Sequence, residues 1–118
     1  MKKKPGTTVT FYRRSDGNLT GYRAEGHAGY ADYGYDIVCA AISALTQSTL
    51  NGLQNVLKAP VMYEIDDQVG LLEARLTPEV SEAQLQQAQL LLVTLQEGLQ
   101  AIERSNPQNV RIFFEERR

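Results

Sequence analysis

The chain is poor in the residues that most often carry chemistry. Of its 118 residues one is cysteine, Cys39, and one is histidine, His27. A single cysteine excludes an intrachain disulfide, which fits a reducing cytosol. One histidine and one cysteine supply too few soft ligands for the usual tetrahedral zinc, so neither a metal nor another cofactor is expected. No apolar run is long enough to span a bilayer. Positive charge is not in excess either. The formal net charge is -2 and the pI is near 5.4, whereas a nucleic-acid-binding domain usually leaves a basic footprint. Gly26-x-x-Gly29 lacks the following Gly-Lys-Ser/Thr that a phosphate loop requires. There is no internal repeat, linker or low-complexity block.

What is present suits one domain, residues 1–118, with 42% hydrophobic residues to form a modest core. The start, Met1-Lys2-Lys3-Lys4-Pro5-Gly6, is basic like a signal n-region. Thr7 to Tyr12 follows it instead of a long apolar core, so a signal peptide is rejected and a cytoplasmic protein is the default. Lys2, Lys3, Lys4, Arg117 and Arg118 gather at the two ends and read as solvated termini rather than phosphate contacts.

Thr8 to Tyr12 is rich in β-branched and aromatic residues and reads as a strand. Ser15-Asp16-Gly17-Asn18 is a turn signal, and Leu19 to Glu25 is the returning strand. Gly26 to Tyr35 has three glycines and three tyrosines and neither helical nor strand period. Asp36 is a good helix N-cap. From it a helix is expected to about Leu57, with a stripe of Val38, Ile42, Leu45, Thr49, Leu53 and Val56. Ala40, Ala41, Ser43 and Ala44 are small and would let this helix lie close to something. Val61, Tyr63 and Ile65 alternate, as do Leu72, Ala74 and Leu76, around Asp66-Asp67-Gln68-Val69-Gly70, which makes a second hairpin. Ser81-x-x-Gln84 has the form of a capping box. The 3-4-3-4-3 spacing of Leu85, Ala88, Leu92, Leu95, Leu99 and Ile102 signals an amphipathic helix. Val110 to Phe114 reads as the last strand. The expected class is α/β: a single-domain sandwich in ββαββαβ order, one mostly antiparallel sheet with two helices.

His27 and Cys39 stand twelve positions apart, joined by the glycine-rich segment, with Cys39 expected in the first turn of a helix. There the unpaired N–H groups and the helix dipole favour a thiolate over a thiol. Cysteines so placed, or beside a charged imidazole, can have pKa values of about 3.5–7.5 against about 8.5 free. The same N–H groups could serve a developing oxyanion. His27 would take the thiol proton and return one to the leaving amine, and Asp32 or Asp36 could orient its ring. The residues alone leave plainer readings open. A lone cysteine on a helix is usually a small buried hydrophobe, and a lone histidine is usually not catalytic. Asp36 can be only a cap. The three tyrosines can be ordinary loop aromatics, or a wall for an apolar peptide side chain.

The stretch Gly26-His27-Ala28, five residues, then Gly34-x-Asp36-Ile37-Val38-Cys39-Ala40-Ala41-Ile42-Ser43 closely resembles the signature of the ribosomal-processing cysteine protease Prp family. The resemblance implies an α/β sandwich and a cysteine endopeptidase that removes the N-terminal extension of a large-subunit ribosomal protein, with His27 and Cys39 as its dyad. It also implies a homodimer and a glycine-rich loop that moves when peptide binds, a role that Gly26, Gly29 and Gly34 fit. Substrates of that family end their extension in aromatic residues, for which Tyr30, Tyr33 and Tyr35 are candidate partners. The peptide could add to a sheet edge or lie along the loop. Neither a membrane nor a nucleic acid is expected as a direct partner. Two rival readings are a non-catalytic ribosome-assembly or RNA-binding factor, which the acidic pI disfavours, and a purely structural dimerisation domain whose second helix forms the interface.

Overall fold

The computed structural model of the chain describes residues 6–26 and 33–117, with 33–36 described by their backbone. Strands β1 (Thr7–Arg13) and β2 (Leu19–Glu25) form a hairpin, followed by helix α1 (Tyr33–Asn51), which continues through a π-helical turn, Gly52–Val56. A second hairpin, β3 (Val61–Asp66) and β4 (Leu71–Leu76), leads to helix α2 (Glu82–Ser105) and strand β5 (Val110–Glu116). The ββαββαβ order is the expected one. The five strands form one sheet in the order β3-β4-β2-β1-β5. All neighbours are antiparallel except β1 and β5, which are parallel.

This order makes two crossovers. β2–α1–β3 and β4–α2–β5 each join parallel strands, and they run in opposite directions along the sheet on strands of opposite polarity. The right-handed crossover rule then puts both helices on the same face. The core agrees: Val9, Phe11, Tyr22, Ala24, Leu72, Ala74 and Val110 from the sheet form one cluster with Ile42, Leu50 and Leu53 of α1 and Leu92, Leu95 and Leu99 of α2. Burying each large apolar side chain contributes about 1.5–3 kcal/mol. Tyr22 sits wholly inside, and its hydroxyl donates to the Thr46 carbonyl at 2.7 Å, which removes the penalty of a buried unpaired O–H.

Helix α2 follows its sequence pattern. Leu85, Ala88, Leu92, Leu95 and Leu99 are buried, and Ser81 and Gln84 form the reciprocal capping box. Helix α1 departs from its pattern. Val38, Ile42 and Leu53 are buried as expected, but Thr46 and Leu50 hold the positions between them, and Val56 is 76% exposed. At Val56 the cause is the π turn. The Leu57 N–H bonds the Gly52 carbonyl at 2.9 Å, five residues back, so Leu57 and not Val56 turns toward the core. Close approach is made at that turn as well. A Cβ on Gly52 would stand 2.9 Å from Leu91 Cδ1 of α2, whereas Ala40, Ser43 and Ala44 are exposed.

Among the described residues no helix covers the other face of the sheet, which is largely polar. There Tyr12 lies beneath the Arg117 guanidinium, 4.0 Å from its ring centroid, and donates to the Glu73 carboxylate. Arg23 approaches Glu25 at 2.9 Å and Glu73 at 3.7 Å. Burial, and then the Glu73 carboxylate, push the Tyr12 phenol up to about 12. Burial raises Tyr22 as well. Both phenols thus hold their protons more tightly folded than unfolded, where a phenol titrates near 10. Their stabilisation is complete below about pH 10. It is lost as pH rises from there toward 12, because the unfolded chain then binds fewer protons than the folded one. Urea midpoints measured between about pH 8 and 11.5 should fall above pH 10, and Tyr12→Phe should make that fall shallower. An equal fall in the variant would remove Tyr12 from the account.

Candidate active site

At one end of the sheet β1 begins, β2 ends, β4 begins and β3 ends, and the N-terminal half of α1 passes above them. The space between is a cavity of about 180 Å³. Cys39 lines it and is half-buried, neither sealed in the core nor free in solvent. Ala24, Ile42, Leu71 and Leu72 give it an apolar lining. Ser43, Thr46 and Gln47 contribute from α1, and Ile65 and Asp67 from the second hairpin. Ser43 stands one helical turn after Cys39 and therefore on its side of the helix. The Thr46 hydroxyl is engaged, donating to the Ile42 carbonyl at 2.9 Å.

Gly26 closes the cavity on the β2 side. Its φ is +101°, a region that side chains adopt at a cost, and a Cβ there would lie 2.4 Å from the Gly6 carbonyl oxygen. Its N–H donates to Val69 O at 3.3 Å, and its carbonyl accepts from Thr7 Oγ1 at 3.4 Å. Gly26 thus ties the end of β2 both to the start of β1 and to the β3–β4 turn. At this position glycine is required by close packing.

Of the other residues singled out in the sequence, His27, Gly29, Tyr30 and Asp32 lie outside the described residues. Tyr33, Gly34 and Asp36 are placed by their backbone, and they correct one expectation. The helix is already formed from Tyr33, so Asp36 is inside its first turn and is not the N-cap. Asp is favoured at both places, by the unpaired N–H groups at the cap and by the dipole just inside, so its presence does not fix the boundary. Tyr33-Gly34-Tyr35 carries no apolar period that would have revealed the extra turn. Cys39 consequently stands in the second turn. Its own N–H is past the four unpaired ones, and the field of the helix end, which falls off within the first turn, is weaker there than a first-turn position would give.

The second-hairpin contribution was missed in the sequence. Ser43 could have been found from its i+4 relation to Cys39. Ile65, Asp67 and Leu71 could not, because only the strand order brings them to the cavity. Among the described residues no group of three His, Cys, Asp or Glu could hold a metal ion.

The family model described as cysteine protease Prp matches residues 7–111. This chain belongs to the cysteine protease Prp family. The ribosomal processing cysteine protease Prp of Staphylococcus aureus (strain Mu50) is 30% identical over 107 residues, covering 91% of this chain and 97% of the relative. That of Bacillus subtilis (strain 168) is 26% identical over 104 residues, covering 88% and 93%. The crystal structure of the essential Prp from S. aureus in complex with a substrate peptide superposes with a TM-score of 0.80 at 29% identity, covering 92% of this chain and 99% of that one. The five-stranded mixed sheet with two helices is therefore the Prp fold, and this chain is a cysteine peptidase of the ribosomal-processing family. Among the described residues, no helix is long and apolar enough to cross a membrane.

Gly26→Ala should lower stability by about 2 kcal/mol or more, since it combines a strained φ with a backbone clash. Denaturant titration checks this; a loss under about 0.5 kcal/mol would mean the junction relaxes freely.

Proposed function

We propose that Cys39 is the nucleophile and His27 the general base of an endopeptidase that removes the N-terminal extension of a large-subunit ribosomal protein in the cytoplasm. The observation that carries this reading is the cavity: the chain's one thiol is half-buried in its lining, and Gly26, the residue before the chain's one histidine, lines the same cavity from the β2 side. His27 takes the Cys39 proton as the sulfur attacks the scissile carbonyl, and an oxyanion forms. Collapse expels the amine, which takes that proton from the imidazolium. Water, with His27 again as base, then hydrolyses the thioester and frees the carboxylic acid and the thiol. Asp32 or Asp36 orients the imidazole. Tyr30, Tyr33 and Tyr35 receive aromatic side chains of the extension, and the segment Gly26 to Gly34 adjusts around the bound peptide. The S. aureus relative solved with a substrate peptide supports a peptide substrate here, and the working form is a homodimer.

The test is a quenched-fluorescence peptide spanning the junction between extension and mature ribosomal protein. Cys39→Ser should bind it with unchanged affinity and lose at least about a thousandfold in kcat. His27→Ala should lose about 10²–10⁴-fold. Iodoacetamide should label Cys39 and stop cleavage. Cleavage by Cys39→Ser at the wild-type rate would overturn the assignment.

A further inference from the structure

Strand β3 is at the edge of the sheet, and among the described residues nothing pairs with its outer side. It is also uncovered on the helical face. Its register sets Tyr63 opposite Ala74 and Ile65 opposite Leu72, both core residues, so Tyr63 and Ile65 point to the side where the helices lie. Yet they are 54% and 46% exposed, because the helices cover the sheet only as far as β4. Ile65 also lines the Cys39 cavity, so this apolar shelf is continuous with the candidate active site. On the opposite face Glu64 stands directly across from Glu73. Glu73 is already served by Tyr12 and Arg23, whereas Glu64, Asp66 and Asp67 form no ion pair with a described residue.

An exposed edge strand, apolar on the helical face and carrying Met62, Glu64 and Asp66 on the other, invites another strand. We infer that β3 is the docking strand for the substrate: an extended segment of the polypeptide flanking the scissile bond adds to its free edge, and the chain then crosses Ile65 into the cavity. The inference rests on the peptidase reading above. Strand addition accounts for both exposed features. Every second side chain of the added segment falls on the helical face and covers Tyr63 and Ile65, so apolar residues belong there. The intervening ones fall beside Glu64 and Asp66, so Lys or Arg belongs there, and an opposite-charge neighbour relieves the Glu64–Glu73 repulsion. Main-chain hydrogen bonds supply affinity and the alternate side chains supply selectivity.

The experiment uses the full-length protein and the same quenched peptide, N-methylated at one backbone position at a time. Strand addition predicts that methylation lowers kcat/KM about three- to tenfold at alternate positions and little between them, because only every second N–H faces β3. Tyr63→Thr, which keeps a strand-forming residue and lies outside the cavity lining, should raise KM about threefold or more with kcat retained. Val93→Gln on α2 should do neither. Methylation effects without a period of two, together with a Tyr63→Thr enzyme of unchanged KM, would overturn the inference while leaving the peptidase intact. So would a Tyr63→Thr change that altered sedimentation but not KM, since β3 would then be held by a second copy. Absence of Cys39-dependent cleavage in the wild type would instead remove the peptidase reading itself.

Discussion

Two helices on one side of a sheet have a limited width to offer. Strands lie about 4.8 Å apart, so five of them span close to 20 Å between the outermost axes, and the flanking side chains add more. A helix with its side chains is about 10 Å across. Two therefore cover roughly four strands, and the fifth must stand outside. Here the uncovered strand is β3, and its position follows from the same crossovers that put both helices on one face. The dry centre lies under Phe11, Tyr22 and Ala74, while Tyr63 and Ile65 remain at the margin.

The cavity at Cys39 belongs to that margin. It forms where the cover ends, between the N-terminal half of α1 and the second hairpin. A thiol needs this intermediate setting for peptide chemistry: enough enclosure to exclude bulk water from the reacting carbonyl, and enough opening to admit a chain. Gly26 keeps the setting in register. By holding the end of β2 against Gly6 on one side and Val69 on the other, it fixes the β2 edge of the cavity. Stability and site therefore depend on one close backbone approach that tolerates no side chain.

Much of the fold was legible in the sequence because its signals are local. The Leu85–Leu99 spacing and the Ser81/Gln84 capping box are properties of neighbours along one helix, and both hold. The first hairpin announced itself by β-branched and aromatic residues before a turn signal, the second by alternation around turn residues. What failed was equally local in origin. A single π turn at Gly52 points Leu57 rather than Val56 toward the core. The first turn of α1 begins with Tyr33, Gly34 and Tyr35, which have no amphipathic period, so the pattern alone points to Asp36 as the cap.

By itself the sequence determined the element order, the burial pattern of α2 and the spacing of a lone cysteine and a lone histidine about a glycine-rich motif. Each of these depends on residues within a few turns of one another, where period, propensity and spacing are set by covalent geometry. Only the tertiary structure decided that Ile65, Asp67 and Leu71 join Cys39, and that β3 stands uncovered beside them. Those facts depend on strand order. The order is chosen by how two crossovers share one sheet face, a packing choice that no short stretch of residues records.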